Sequence, residues 1–491
     1  MKKSAKYTLV VLFGVLTYFL VFHRLDAKAL HTWDESLFAT RAFYLAHHGQ
    51  YFTNWNQVDH CQLPHPNTKP PLAGLIQAIS FNTIGYTRLA LRLPVAIMGV
   101  LISILLVYWV RHAKLGVFTA FLAGIILLAN EGFNAQHILR SGDHDVPLTF
   151  WLILSVYSAF QYGVSKNQKA WAILIFVFTA LAVLTKSIMG LMLLPAIAIY
   201  LIIVHKPKVI LKQKAFYIGI LVLITSVSSF YLIMDYIHAG FLQLVWDNEV
   251  GGRYAKTIDN HKEVWHYYID FLFKKGFTPY IWFSIGGIFF GLFSKSLTLK
   301  RLTLLLSITA AFYLFVISSA QTKLLWYAAP LYPLLSILAA IGINGLWLII
   351  KNATGKIIQK QIAFTIAQVA IALLIVGFVA AKIIRYNATA KTTYKVERYE
   401  IDFEKLRLKY PDYKNIKILS RDEWYPGLVF IANKYEKLYG YNIELANSKS
   451  TFSTGDIIFS EYNKRFEKLH LKQLGNFYDG IKLYQILEIK E

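Results

Sequence analysis

Long apolar runs recur from the amino-terminus to about residue 384 of this chain. Because about 20 helical residues cross the hydrocarbon core of a bilayer, runs of this length predict transmembrane helices. We predict eleven, with approximate bounds 7–25, 90–110, 116–133, 146–163, 170–185, 188–204, 215–235, 278–294, 302–319, 328–350 and 361–384. Two of these runs meet at Thr185, Lys186 and Ser187, so they form either a tight hairpin or one interrupted segment.

The composition also indicates a polytopic membrane protein. Hydrophobic residues make up 56% of the chain and charged residues 16%, and the mean hydropathy is +0.44, which is too apolar for a soluble globular protein. The net charge of +23 does not indicate nucleic-acid binding, because Lys and Arg are scattered among the apolar runs instead of forming one basic face. Anionic membrane lipids are the expected counter-charge.

The distribution of charge predicts the orientation of the chain. With a cytoplasmic amino-terminus, every predicted cytoplasmic segment carries Lys or Arg and lacks Asp and Glu, and cytoplasmic loops typically carry an excess of Lys and Arg. All thirteen acidic residues before residue 385 then lie on the opposite side. Residues 1–29 also have features of a secretory signal, but the near-spanning length of their apolar run favours an uncleaved first helix.

The composition changes near residue 385. The last 107 residues hold 15 of the 28 acidic residues, which predicts a soluble domain at 385–491 after a transmembrane domain at 1–384. With an odd number of spans, this domain lies on the non-cytoplasmic side. Its apolar patterns predict a small α/β module, with strands at 415–419, 456–460 and 480–489 and a helix at 427–435.

An adjacent pair of acids, Asp34 and Glu35, opens the first long external loop within the stretch HTWDESLFATRAFYLAHHGQ. An ionised carboxylate is costly inside hydrocarbon, so acids beside a membrane span often mark a functional site. The alternative is an ordinary acidic first turn of a helix. In the same loop Lys69 precedes Pro70 and Pro71, whose rigid backbone suits a lysine that binds a phosphate. The alternative for Lys69 is a lysine that extends to the membrane interface.

Three further external segments carry candidate residues. Asp143 and Asp145 flank His144 ahead of a span, where they can bind a divalent cation, orient hydroxyl groups or act as an acid and a base, although Asp145 could simply cap a helix. Arg253 in the second long loop lies among polar and aromatic residues, a setting that suits the binding of a phosphate headgroup. The other candidates for substrate contact are Asn248 and His261 in the same loop, and Lys323 and Tyr327 in a short turn.

We predict no metal site and no certain cofactor, with a divalent cation kept as an alternative. His60, Cys61 and His65 lie close together in sequence, but their spacing does not match a compact zinc pattern. Cys61 is the sole cysteine, so an intramolecular disulfide is excluded.

Six segments together resemble the membrane-embedded GT-C glycosyltransferases. The resemblance is to the bacterial branch that contains the aminoarabinose transferases of lipid A and relatives of the protein O-mannosyltransferases. In family order the segments are WDESLFATRAFYLAHHGQY, NTKPPLAGLIQAIS with TRLALRLPVAI, RSGDHDVPLTFW, LTKSIMGLMLLP, DNEVGGRYAKTIDNHKEVWHYY and TKLLWYAAPLYPLL, and they cover residues 30 to about 335.

The resemblance implies a polyprenyl (undecaprenyl) phosphate-linked sugar as donor, used on the periplasmic face of a bacterial inner membrane. It implies Asp34 as the general base or as a carboxylate that orients the acceptor, with Glu35 beside it, and Asp145 or Asp143 as a second acid. Lys69 and Arg253 would hold the lipid phosphate, and His261, Lys323 and Tyr327 fall on family positions. The acceptor would be lipid A, a protein or a glycan.

Two other classes of function compete with this reading. A lipid flippase or transporter should carry charge near the middle of its spans, whereas the acids here fall in external loops. A non-catalytic anchor for the carboxy-terminal domain would leave the acidic loops without a role. We therefore predict an inverting transferase, in which a hydroxyl attacks the anomeric carbon in one displacement.

Overall fold

The computed structural model describes residues 3–28, 30–31, 34–48, 57–58, 61–62, 67–251, 262–354, 377, 379–385, 395–419, 426–446, 450–460, 464–477 and 481–489. The chain forms two compact units. The first unit consists of residues 1–25, 68–73 and 92–389, and the second of residues 26–67, 74–91 and 390–491. The proposed division into domains 1–384 and 385–491 stays a prediction.

Helices dominate the part of the chain before residue 385. In chain order they are α1 Lys3–Thr17, α2 Asp34–His48, α3 Leu72–Ile84, α4 Arg88–His112, α5 Val117–Leu128, α6 Asp145–Val164, α7 Gln168–Lys186, α8 Leu194–Val204, α9 Pro207–Lys212, α10 Lys214–Ile237, α11 Phe241–Val245, α12 Tyr267–Phe271, α13 Tyr280–Leu292, α14 Leu297–Ser319 and α15 Leu331–Thr354. A 3₁₀ turn, Ser187–Leu191, follows α7, and a π-helical turn, Trp246–Gly251, follows α11.

Several of these helices have the length and apolarity of membrane spans. Among the described residues, five reach full spanning length: Arg88–His112, Gln168–Leu191, Lys214–Ile237, Leu297–Ser319 and Leu331–Asn352. Shorter apolar helices are Tyr7–Phe22, Leu72–Ile84, Val117–Leu128, Leu194–Val204 and Tyr280–Leu292. The chain is a helical membrane protein, and the count of eleven spans stays a prediction. Most of the predicted span at 361–384 lies outside the described residues.

A 3₁₀ turn forms the interruption near Lys186 that separates α7 from α8. Helix α7 ends at Lys186, and the 3₁₀ turn Ser187–Leu191 folds back on it so closely that a Cβ at Gly190 would lie 2.2 Å from the backbone nitrogen of Val183. Helix α8 then packs against α6 and α14. The turn therefore fixes the position of the last residues of α7.

Helices α13 and α15 approach each other through two glycines. A Cβ at Gly287 would lie 1.8 Å from the carbonyl oxygen of Leu338, and one at Gly342 would lie 1.9 Å from that of Phe283. Small residues at such contacts let helix backbones pack closely inside a membrane, where the hydrophobic effect does not drive helices together.

Gly287→Ala should therefore destabilise the protein. Overpacking of a tight contact costs about 1–3 kcal/mol, because the methyl group has to push Leu338 away. The matched control is Gly286→Ala, whose added Cβ would meet no atom closer than 4.0 Å. Thermal unfolding of the purified variants in detergent measures the difference, and equal midpoints for the two variants would contradict this packing.

The carboxy-terminal segment contains a small sheet with helices. Its strands are β3 Asn415–Leu419, β4 Asn442–Ala446, β5 Ile457–Ser460, β6 Leu469–Asn476 and β7 Lys482–Ile489, numbered after the short pair β1 Gln57–Val58 and β2 Cys61–Gln62. They pair in the order β4-β3-β5-β7-β6, where β3 is parallel to β4 and β5, and β7 is antiparallel to β5 and β6. Two helices, α16 Lys395–Lys409 and α17 Pro426–Tyr439, accompany the sheet.

Within the second unit, helix α2 packs against α17. Phe43 and Tyr44 of α2 share a buried apolar cluster with Phe81, Val429 and Phe430. The rings of Phe81 and Phe430 stack with centroids 5.8 Å apart. The helix that carries the acid pair of the first loop is thus supported by the carboxy-terminal segment.

Candidate active site

Lys69 is bound to a buried acid from the second long loop. It precedes Pro70 and Pro71, ahead of α3, and its Nζ donates to both carboxylate oxygens of Glu249 at 2.7 Å. The hydroxyl of Thr68 donates to the same carboxylate at 2.7 Å. The side chains of Lys69 and Glu249 are 12% and 3% exposed, so Lys69 does not extend to the interface as the alternative reading expects.

A second buried ion pair joins Asp145 to Lys186. Asp145 is the first residue of α6, and its Oδ2 accepts from the Nζ of Lys186 at 2.6 Å. The N-cap position of α6 belongs to His144, so the reading of Asp145 as a helix cap is wrong. Breaking one partner of such a pair costs about 3–5 kcal/mol, because the other charge stays buried. The pair fixes the ends of α6 and α7 together.

The two lysines line one cavity of about 140 Å³. Apolar side chains form much of its wall, namely Ile188, Met189, Met192, Val316, Ile317 and Ala320, and its polar lining is Lys69, Lys186, Glu249, Thr322 and Tyr327. The ring centroid of Tyr327 lies 5.6 Å from the Nζ of Lys186, within the range of a cation–π contact. An apolar wall beside two ammonium groups suits an anion that carries a hydrocarbon chain.

Asp143 has a different partner from Asp145. Its Oδ1 lies 3.0 Å from Nδ1 of His137, and both residues are buried. The imidazole of His137 in turn lies against Trp326, with ring centroids 4.3 Å apart. The two acids of this turn are therefore directed to different neighbours, and Asp145 is the one joined to the cavity through Lys186.

The acid pair Asp34 and Glu35 occupies the first turn of α2 in the second unit. Oε2 of Glu35 accepts from the backbone N–H of His31 at 2.8 Å, and Glu35 is fully buried. This contact stabilises the start of the helix in the manner of a capping interaction. Asp34 is partly exposed. The two neighbouring carboxylates therefore differ, since Glu35 is buried against the start of the helix whereas Asp34 is partly exposed.

The short turn before α15 is held by buried hydroxyl groups. Tyr268 donates to the carbonyl oxygen of Leu324 at 3.0 Å, and Tyr313 donates to that of Tyr327 at 2.9 Å. Lys323 lies in this turn, where its Nζ donates to the carbonyl oxygen of Ala320 at 2.5 Å. Burial lowers the pKa of Lys323 below its usual range, and the charge of Glu263 opposes that effect.

Of the remaining candidates for substrate contact, the structure describes only Asn248. Asn248 is half-buried in the turn Trp246–Gly251, beside Glu249. Arg253, His261, His60 and His65 lie outside the described residues, as does the side chain of Cys61. The sequence motifs do not predict the roles of Lys186 and Glu249. The one available signal for Lys186 is a lysine that interrupts a long apolar stretch.

A family model overlaps this site. Residues 68–233 match the model described as dolichyl-phosphate-mannose-protein mannosyltransferase, and the matched segment contains Lys69, Asp145 and Lys186. An uncharacterized protein of Aquifex aeolicus is 29% identical over 338 residues, which are 68% of this chain and 64% of that protein. A putative mannosyltransferase of Bacillus subtilis, YkcB, is 26% identical over 218 residues, which are 40% of this chain and 30% of that protein. The chain thus spans less than two thirds of the length of these relatives.

Two solved structures show the same fold. ArnT from Cupriavidus metallidurans, bound to undecaprenyl phosphate, matches with a TM-score of 0.70 at 14% identity, over 98% of this chain and 99% of that one. The archaeal oligosaccharyltransferase AglB from Archaeoglobus fulgidus, in complex with an inhibitory peptide and a dolichol-phosphate, matches with a TM-score of 0.57 at 13% identity, over 90% and 64%. The chain is thus similar in sequence to mannosyltransferases over residues 68–233, and it shares its fold with ArnT and with the oligosaccharyltransferase AglB.

Proposed function

We propose that this protein transfers a sugar from a polyprenyl phosphate donor, of the undecaprenyl type, to an acceptor in the cell envelope. The observation that carries the proposal is the cavity that joins an apolar wall to the ammonium groups of Lys69 and Lys186. A lipid phosphate needs both features, because its chain is apolar and its headgroup is an anion. ArnT, which shares the fold, is bound to undecaprenyl phosphate.

In the proposed reaction Lys69 binds the phosphate of the donor and stabilises the charge that develops on it as the glycosidic bond breaks. Arg253, four residues after Glu249 in the sequence, is proposed to assist. Lys186 contributes positive charge at the cavity while Asp145 holds it in place. Tyr327, Lys323, Asn248 and His261 are proposed to contact the substrates.

Asp34 is proposed as the general base. An ionised carboxylate can accept the proton of an acceptor hydroxyl as its oxygen attacks the anomeric carbon. The bond between that carbon and the phosphate oxygen breaks in the same step, and the electron pair leaves on the phosphate. Phosphate is a good leaving group, so the reaction needs no protein acid to protonate it.

The acceptor is proposed to be a hydroxyl or phosphate of lipid A, a protein or a glycan. The proposed location is the inner membrane of a bacterium, with the amino-terminus in the cytoplasm and the carboxy-terminal α/β segment in the periplasm. The positive charge of the predicted cytoplasmic loops supports this orientation.

The stereochemistry of the product tests the single displacement. The purified protein in nanodiscs is incubated with a polyprenyl-phosphate sugar of defined anomeric configuration and with extracted envelope acceptors, and the product is analysed by NMR. We expect the anomeric configuration to be inverted. A product with retained configuration would require a covalent intermediate or two displacements and would contradict the mechanism.

A further inference from the structure

Glu249 binds the same ammonium group that the proposed donor phosphate requires. Its two carboxylate oxygens each lie 2.7 Å from the Nζ of Lys69, and Thr68 adds a third hydrogen bond. Glu249 is buried, and it lies in the turn Trp246–Gly251 that follows α11. An anion that binds Lys69 therefore competes with a fixed carboxylate at short range.

The strength of that competition depends on the charge of the anion. Charges separated by a few ångströms repel each other strongly in a poorly hydrated site, where the effective dielectric constant is far below that of water. The cavity beside Lys69 has a largely apolar wall, so water screens the repulsion incompletely. Each additional negative charge on the ligand consequently meets a larger penalty from Glu249.

The donor and the product of the proposed reaction differ in charge. A polyprenyl-phosphate sugar is a phosphodiester with one negative charge, whereas the polyprenyl phosphate left after transfer is a phosphomonoester with a charge of about −1.5 to −2 at neutral pH. Lys69 alone would bind the more highly charged product better than the donor. Product would then accumulate on the enzyme.

We propose that Glu249 is a specificity-determining residue that makes Lys69 prefer the phosphodiester of the donor to the phosphomonoester of the product, and so promotes product release. This inference rests on the proposed function. Glu249 remains close to Lys69 throughout, and its repulsion increases when cleavage adds negative charge to the phosphate. The same side chain keeps Lys69 directed into the cavity.

The test compares Glu249→Gln with a control from the same turn, Asp247→Asn. Glutamine keeps the length of glutamate and an oxygen that can accept from Thr68 and Lys69. Asp247 is exposed, and its carboxylate accepts from Gln243 at 3.0 and 3.1 Å, so the control removes an equal charge away from Lys69. The full-length protein in nanodiscs is assayed at pH 8 for the Kd of undecaprenyl phosphate and the KM of an undecaprenyl-phosphate sugar.

We expect E249Q to bind undecaprenyl phosphate about tenfold more tightly than the wild type, which corresponds to about 1.4 kcal/mol. The KM of the donor should fall by a smaller factor, and D247N should leave both constants nearly unchanged. If E249Q does not purify as a folded protein, E249A replaces it, with the same expectation for the ratio of the two constants.

Three results would overturn the inference while leaving the proposed function in place. They are weaker or unchanged binding of undecaprenyl phosphate by E249Q, equal tightening of donor and product, and an equal shift in D247N. The first would mean that Glu249 only holds Lys69 in position. A wild-type protein that neither binds undecaprenyl phosphate nor uses the donor would instead overturn the proposed function, and this inference with it.

Discussion

Asp34→Asn should abolish most of the transfer activity while the protein still binds its lipid ligand. General base catalysis contributes about 10²- to 10⁴-fold to a rate, and asparagine cannot accept the proton of the attacking hydroxyl. Asp34 is partly exposed at the start of α2, so its replacement by a residue of the same shape should leave the fold unchanged. We expect kcat to fall by about 10³-fold, with the Kd of undecaprenyl phosphate within about twofold of the wild-type value.

The neighbouring variant Glu35→Gln serves as the comparison. Glu35 is fully buried and accepts from the backbone of His31, so its substitution should lower the thermal unfolding midpoint more than that of Asp34. Rates and melting curves of the two variants separate a chemical role from a structural one. If D34N retains wild-type kcat, another group is the base.

Lys69→Ala should remove most of the affinity for the donor. A charge-assisted hydrogen bond contributes about 1.5–3 kcal/mol, which corresponds to about 10- to 150-fold in a dissociation constant. The variant also leaves Glu249 buried without its Lys69 partner, and that carboxylate repels the phosphate further. We therefore expect the Kd of undecaprenyl phosphate to rise by at least about 100-fold, as measured by titration in nanodiscs.

The control for this loss is Lys274→Ala. Lys274 is 75% exposed and pairs with Asp270 one helical turn away. Its replacement by alanine therefore removes the same charge from the surface and leaves the lining of the cavity unchanged. The double variant Lys69→Ala with Glu249→Gln tests folding, because it leaves no buried unpaired charge from this pair. Wild-type affinity in folded Lys69→Ala would show that the lipid phosphate binds elsewhere.

Local motifs led to part of the candidate site. Lys69 is recognisable because it precedes a diproline, and Asp145 because it stands at the start of a predicted span. Both features involve only a few neighbouring residues. The partners of Lys69 and Asp145 cannot be recognised from such local features. Lys186 lies 41 residues from Asp145, and Glu249 lies 180 residues from Lys69, so tertiary packing alone brings each pair together.

The strands show the same limit for a physical reason. The predicted strands at 415–419, 456–460 and 480–489 correspond to β3, β5 and β7, the three central strands of the sheet. The sequence analysis does not identify β4 and β6, the two edge strands of the sheet. Strand β4 is only five residues long, with Glu444 exposed between its buried positions, and half of the residues of β6 are exposed, including His470 and Lys472. Edge strands carry such charged and polar side chains, so their apolar pattern is weak.

The positions of the helices before residue 385 are easier to predict from the sequence than the residues at which those helices end. Apolar runs indicate where α4, α7, α10, α14 and α15 lie, because a membrane span needs a continuous apolar stretch. The predicted interruption after residue 185 is close to the observed end of α7 at Lys186, but no periodicity in the sequence records the close approach of Gly190 to the helix backbone. Helix α3, which follows the diproline, is apolar but has only 13 residues, and it does not correspond to any of the predicted spans.

The most direct test of the central claim is donor use by the purified wild-type protein. Nanodiscs with extracted envelope acceptors are supplied in parallel with radiolabelled sugars on polyprenyl phosphate and with the corresponding nucleotide sugars, and both the labelled acceptor and the released polyprenyl phosphate are measured. We predict that label is transferred from at least one polyprenyl-phosphate sugar, with one released polyprenyl phosphate for each sugar transferred, and from none of the nucleotide sugars. Movement of the intact lipid-linked sugar between leaflets without cleavage, or transfer from a nucleotide sugar alone, would contradict the account.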